Sequence, residues 1–297
     1  MKDTPHPVAF HSSIPPEKHD ALIEETRRKL GVYIEHGPPV TPEKVAEYTA
    51  VFESARAQVS EHLISLGIPQ ADIERNLAAI RLVIGGLTTH YNPTLHTLVL
   101  RPDEIETIVG TDTPENRARV VRHEVAHAIS RTTHYHTHEN GGITHSGIST
   151  GGMTRAGIVE YGFALNEIVI DTIAVRSGTE SVESPRAQFF SEITSYIMSH
   201  SELPIAEAEL YRLFAHVACR GWSARPEGKT LKRIIRSVYG DDGMSVLMRL
   251  KLPTSETEAE LETQLRSDPL FQFMTNAPST AEARAARARE LLKKNHG

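Results

Sequence analysis

Residues 120 to 130 read VVRHEVAHAIS, and no other stretch constrains the fold as much. Val120, Val121, Val125, Ala126, Ala128 and Ile129 surround His123, Glu124 and His127. A helix here is apolar around most of its circumference and belongs in a core, yet it carries three polar side chains inward. Residues four apart share a helical face, so His123 and His127 aim two imidazoles at one point. Buried polar groups require partners, and an unpaired carboxylate is the costliest of the three. A metal ion and its water supply partners to all of them: the histidines ligate, and Glu124 lies within reach of the water without ligating. The plainer alternative is a pair of surface or hydrogen-bonded core histidines on an ordinary helix.

Two histidines leave zinc short, because a catalytic site has three protein ligands and one open position. Downstream, GFALNEIVIDTIAV (162–175) places Glu167 and Asp171 four apart among Ile168, Val169, Ile170, Ile173 and Ala174. Two acids on one face of an apolar helix need compensation. Zinc satisfies Glu167, and an imidazole N–H of His123 satisfies Asp171 while fixing the ring's tautomer. Alternatively the acids meet Arg122 or Arg176, or face water. Glu160 competes with Glu167 as third ligand, but it sits near the expected helix start, where a carboxylate is favoured anyway.

Taken together, HEVAH and NEIVID resemble the paired signatures of the gluzincin branch of zinc metallopeptidases, which contains thermolysin-like proteases and zinc aminopeptidases. The resemblance covers roughly residues 115 to 175. It implies an α+β zincin-like core with a small sheet beside the active-site helix, zinc as cofactor and peptide hydrolysis. It also implies Glu124 as general base, Glu167 as third ligand, and Asn166 and Asp171 as supporting residues, with Asp171 behind the first histidine. Such families place a tyrosine or histidine opposite the metal. Tyr161, Tyr196, Tyr211, His200, His216 and Tyr239 are the candidates, Tyr161 first because it precedes Glu167 at the mouth of its helix. A peptide or protein is the expected substrate. A non-catalytic zinc-stabilised interaction module is the alternative.

Between the two signatures lies HYHTHENGGITHSGISTGGMTRAG, rich in His, Gly and Thr. One smooth helix is excluded there, and one or two short strands or an ordered loop are expected. His134, His136 and His138 alternate, which suits either a second metal site or a polar lip over the cleft. The glycines do not form G-x-G-x-x-G after a strand, so no nucleotide site follows. Cys219 is the only cysteine, which excludes an intrachain disulfide and favours burial over nucleophilic chemistry. No G-x-S-x-G elbow occurs. A formal charge of -6 points away from nucleic acid. The N-terminal residues do not read as a signal peptide and no run of 18 apolar residues occurs, so a cytoplasmic protein without membrane partners is expected.

The remaining periodicity predicts strands at 79–85 and 95–100, the latter (LHTLVL) as an edge strand able to hold an extended peptide, separated by turn residues. Helices are predicted at 21–34, 42–66, 73–77, 113–130, 158–175, 184–200, 205–220, 229–239, 243–249, 257–266 and 280–294. The expected organisation is a flexible tail at 1–19, a catalytic core at 20–180 and a mostly helical region at 181–297, the last either separate or part of the same domain. Oligomeric state is left open.

Overall fold

The computed structural model describes residues 9–12, 16–78, 80–108, 113–130, 132–138, 141–154, 157–179, 184–222, 225–251 and 258–294. For 9–12, 16–19, 22, 108, 132–138, 141–146, 151–154, 157–160, 225, 258–259 and 294 this description is of the backbone. The fold is mixed α+β with a helical C-terminal region, and it divides into two compact units. The first holds residues 1–146, 152–159 and 173–182; the second holds 147–151, 160–172 and 183–297.

The first unit begins with β1 (Ala9–Ser12) and α1 (Pro16–Glu35). Helix α2 (Pro42–Ser65) starts at Thr41, whose side chain accepts the Lys44 N–H, with Pro42 in the first turn. Its buried residues Tyr48, Phe52, Ala55, Val59 and Leu63 recur every three or four positions, the spacing of a single apolar stripe. After α3 (Gln70–Ala78) come β2 (Arg81–Ile84), β3 (His90–Asn92), β4 (Thr97–Leu100), α4 (Pro102–Ile108) and α5 (Pro114–Ile129). Helix α5 uses the same start as α2: Thr113 accepts the Asn116 N–H, Pro114 follows, and Glu115 occupies the positive end of the helix dipole. It packs against α2, α3, β3 and β4.

The three-stranded sheet has the order β2-β4-β3, with β4 parallel to β2 and antiparallel to β3. This corrects the expectation for LHTLVL. All four residues of β4 are buried, and the strand is central, with a neighbour on each side. A near-continuous apolar run belongs where both faces are covered, so β2 and β3 are the outer strands of this sheet. The segment read as turn residues supplies β3. Asn92 Oδ1 accepts the Leu95 N–H at 3.0 Å, and His96 takes φ 48° to finish the reversal. The buried His96 ring receives the Tyr91 hydroxyl at Nδ1 and donates from Nε2 to the Asn76 carbonyl, while Asn76 Nδ2 donates to the Ile129 carbonyl at the end of α5. One chain of hydrogen bonds thus fixes the hairpin against α3 and α5.

The segment after α5 forms more strand than expected: β5 (Thr132–His138), β6 (Gly141–Ser146), β7 (Ser149–Thr154) and β8 (Gly157–Tyr161). With β1 they make a second sheet, ordered β1-β5-β6-β7-β8. Strand β1 is parallel to β5, and β5 is antiparallel to β6 with an irregularity between His136 and His138. The helix predicted from 158 begins instead at Phe163, as α6 (Phe163–Arg176). β-Branched Ile158 and Val159 favour the strand, and Gly162 ends it with φ 70°. A Cβ there would stand 2.5 Å from Met248 Cε and 2.9 Å from the Ile148 carbonyl oxygen, so this turn requires glycine.

The second unit is helical: α7 (Pro185–His200), α8 (Glu207–Arg220), α9 (Arg225–Tyr239), α10 (Gly243–Leu247), α11 (Glu258–Ser267), α12 (Pro269–Thr275) and α13 (Ala281–Lys294). Its core is aromatic. Phe189 meets Phe271 at a ring separation of 4.4 Å, and Phe190 meets Phe214 at 5.3 Å, both edge to face. From α13 the buried Arg284 donates to the carbonyls of Val238, Pro278 and Ser279. Replacing it with Met strands those acceptors. The Arg284→Met protein is expected to lose about 2–3 kcal/mol of unfolding free energy, read as a lower urea midpoint.

Among the described residues no helix is long and apolar enough to cross a membrane.

Candidate metal centre

On α5 the apolar positions around the motif are buried: Val121, Val125, Ala126, Ala128 and Ile129 are each at most 1% exposed. His123 is buried with them, whereas Glu124 and His127 are half-buried. One helical turn brings the imidazoles together, ring centroids 4.8 Å apart and edge to face, with the two Nε2 atoms 3.1 Å from each other. Glu167 of α6 joins them. One ligand atom from each of His123, His127 and Glu167 lies within 4.8 Å of the others, the one such group among the described residues.

These distances test whether the residues suit a metal. Zinc–nitrogen bonds of 2.0–2.1 Å at a tetrahedral angle put two donors about 3.3 Å apart. The observed 3.1 Å between the Nε2 atoms therefore already matches two ligands of one ion, with an included angle of about 100°. The Glu167 carboxylate is the third member of the group whose ligand atoms lie within 4.8 Å of one another. Two nitrogens and one carboxylate oxygen form a donor set that zinc accepts, with room for a fourth ligand.

The neighbouring residues explain how the helices are held. Arg122, fully buried, donates from Nε to the Ala174 carbonyl at 2.8 Å and from Nη1 to Gln58 Oε1 at 3.0 Å. It thus ties α5 to α2 and to the last turn of α6, two turns beyond Glu167. Asp171, one turn beyond Glu167, is buried and accepts a hydrogen bond from the Ser184 hydroxyl. Ser184 also caps α7 by accepting the Ala187 N–H. Sequence reasoning assigned Asp171 to an imidazole and did not anticipate Ser184. The visible signal was the Ser184-Pro185 helix start, which says nothing of a partner thirteen residues back.

Asn166, adjacent to Glu167, has a structural task that the signature did not suggest. Its Oδ1 accepts the Ile148 N–H at 3.1 Å inside the turn between β6 and β7. The Ile148 carbonyl in turn receives Trp222 Nε1 at 3.2 Å. Gly147, at φ 57°, completes this turn; a Cβ there would lie 2.3 Å from the Ala218 oxygen and 2.7 Å from Asn166 Oδ1. Gly147→Ala is expected to cost about 2–3 kcal/mol of stability, measurable by urea unfolding.

Tyr161 ends β8 and is 43% exposed. The other tyrosine and histidine candidates make contacts of their own. Tyr196 donates to the Ala277 carbonyl at 3.0 Å and Tyr239 to the Met274 carbonyl at 2.6 Å. Tyr211 packs on Phe190, His200 stacks on Tyr196, and the buried His216 places Nδ1 3.8 Å from Glu227 Oε1. The side chains of His134, His136, His138 and Glu160 lie outside the described residues, although their backbones belong to β5 and β8.

Cys219 is buried on α8, and desolvation pushes its thiol up to about 12. The thiolate, which is the form that reacts, is thereby disfavoured. A disulfide reagent such as DTNB is therefore expected to leave the folded protein unmodified and to label one thiol per chain after unfolding.

No protein-family model, curated protein or solved structure matches this chain.

Proposed function

We propose that the chain is a zinc-dependent peptidase of the gluzincin kind. The observation that carries this reading is the grouping of His123, His127 and Glu167, with Glu124 the next residue after His123 on the same helix. His123, His127 and Glu167 would hold the ion. Bound zinc contributes Lewis acidity, polarising the scissile carbonyl and making water a stronger acid.

The remaining steps belong to the chain. Glu124, excluded from ligation by its position on the helix, accepts a proton from the attacking water and passes it toward the leaving amine. Tyr161 directs its hydroxyl at the oxygen that becomes negatively charged. Asp171 holds His123 in the tautomer that leaves Nε2 free to ligate, and Asn166 fixes the turn against the helix that carries Glu167. An extended peptide suits an outer strand of the three-stranded sheet, β2 or β3, because a strand edge presents alternating N–H and C=O groups. Those strands belong to the sheet packed on α5.

Elemental analysis of protein purified without a histidine tag is expected to find about one zinc per chain. Mass spectrometry of a library of extended peptides should then show cleavage by the zinc protein and none by the chelated control. Native protein without metal overturns the reading. Bound zinc with no cleavage leaves a zinc-stabilised interaction module.

A further inference from the structure

Helices α1, α2, α3, α8, α11 and α13 each pair an arginine or lysine with an acid three or four residues away, the spacing at which opposite charges support a helix. Helix α9 departs from this habit. Its exposed Lys229, Lys232, Arg233 and Arg236 lie on one face, and each neighbour three or four residues away on that face carries the same sign. Like charges at that spacing oppose the helix. The only acid in α9, Glu227, is turned inward, its Oε1 3.8 Å from Nδ1 of the buried His216.

Most of this face is left uncompensated. Lys229, Lys232 and Arg233 form no ion pair among the described residues. Arg236 alone does, from Nε to Asp241 Oδ1 at 2.7 Å, with both side chains largely in water. The opposite side of α9 is closed: Leu231, Ile234, Ile235 and Val238 are buried, so the helix cannot turn its charges elsewhere. Its start is fixed as well. Gly228 abuts Trp222, where a Cβ would stand 2.7 Å from the carbonyl oxygen, and Lys232 Nζ sits 5.2 Å from the centre of the Trp222 ring. Trp222 Nε1 donates to the Ile148 carbonyl in the turn that Asn166 holds, and Asn166 precedes Glu167. The charged face is thus tied to the segment that carries a proposed metal ligand.

We infer that this face of α9 is a docking site for an acidic, extended segment of the protein substrate, bound through side chains other than the metal ligands. The inference rests on the peptidase reading for calling the partner a substrate, and on the uncompensated cations for its acidic character. From Lys229 to Arg236 the face runs about 10 Å along the helix, the length of about three extended residues. Carboxylates of a short peptide segment fit that length and pair with the ammonium and guanidinium groups. A nucleic acid suits it less, because the chain's net charge of -6 opposes the approach of a long polyanion. An anionic membrane surface calls for apolar side chains beside the cations, and α9 exposes no large one among the described residues.

The test uses zinc-loaded protein and two fluorescein-labelled peptides, identical but for a central run of glutamates in one and of glutamines in the other. By fluorescence anisotropy at low salt the Glu peptide is expected to bind about tenfold more tightly, the sum of several solvent-exposed charge pairs. The preference should vanish at about 1 M salt, where charges more than about 3 Å apart are screened. Lys229→Gln with Arg233→Gln, in protein that melts normally, should shrink the ratio to within about twofold. Arg28→Gln with Lys29→Gln, which changes the net charge equally at exposed residues of α1, should leave it near tenfold. Equal affinity for the two peptides overturns the inference. So does a preference that survives the α9 substitutions, since the carboxylates then bind elsewhere, as on the zinc. Tighter binding of a single-stranded oligonucleotide or of phosphatidylserine vesicles, lost with the same substitutions, overturns the choice of partner. Appended to a peptide that the protein cleaves, the glutamate run should lower KM about tenfold and leave kcat unchanged; an unmoved KM overturns the assignment to the substrate. If the Glu peptide binds selectively through α9 but the protein cleaves no peptide, the peptidase reading fails and the acidic-segment docking site stands.

Discussion

Replacing Glu124 with Gln is expected to lower kcat on a cleavable peptide by about 10²–10⁴-fold, the range over which a positioned general base contributes. Glutamine keeps the size of the side chain and much of its hydrogen bonding, so folding and zinc content should match the unsubstituted protein. The expectation follows from position. Glu124 is adjacent to His123 in sequence on α5 and half-buried, one residue from a member of the His123, His127 and Glu167 cluster. If Glu124→Gln and unsubstituted protein cleave at comparable rates after contaminating proteases are removed, Glu124 is not the base. Loss of zinc from the variant would instead show that the carboxylate holds the ion.

Zinc removal should have the second large effect, on stability. A ligand that binds only the folded state stabilises it by about 4 kcal/mol when its free concentration is 1,000 times its Kd. At about 2–4 °C of Tm per kcal/mol, chelation is expected to lower the melting temperature by about 10 °C, and added zinc to restore it. His123→Ala removes a ligand from the buried side of the cluster and should melt near the chelated protein, indifferent to both chelator and zinc. Glu124→Gln should keep the full zinc response. This contrast distinguishes a residue that binds the ion from one that acts beside it. A melting temperature unmoved by chelation in protein shown to have contained zinc would refute the linkage.

Local chemistry accounts for the parts of the fold that were readable. Thr41-Pro42, Thr113-Pro114 and Ser184-Pro185 each pair a side-chain acceptor with a proline that needs no N–H partner, and α2, α5 and α7 begin there. Asp268-Pro269 carries the same signal and starts α12, with Asp268 accepting from Leu270 and Phe271, yet the seven-residue helix was not read from the sequence. Its apolar run, LFQFM, is too short to display a helical period. Helix α4, also seven residues long, was missed for the same reason. Strand β3 was hidden because its three residues sit inside a polar turn segment and become a strand only by pairing with β4. The boundary at Gly162 was missed because the apolar residues on either side read as one continuous periodicity.

The sequence by itself determined the histidine pair. Spacing by four on a helix puts His123 and His127 on one face whatever surrounds them, and the apolar flanks of HEVAH require that helix to be buried. The same local logic put Glu167 and Asp171 on one face of α6. Only the tertiary structure decided that Glu167 reaches the histidines, that Ser184 meets Asp171, that Asn166 holds the Gly147-Ile148 turn, and that β4 is central while β2 and β3 are edges. The physical reason is range. Helix periodicity and capping depend on bonds within a few residues, and those are written into neighbouring side chains. Which acid meets which partner depends on separate segments, 13 residues apart for Asp171 and Ser184 and far more for Glu167 and the histidines, and is settled by which packing of buried faces leaves the fewest polar groups without partners.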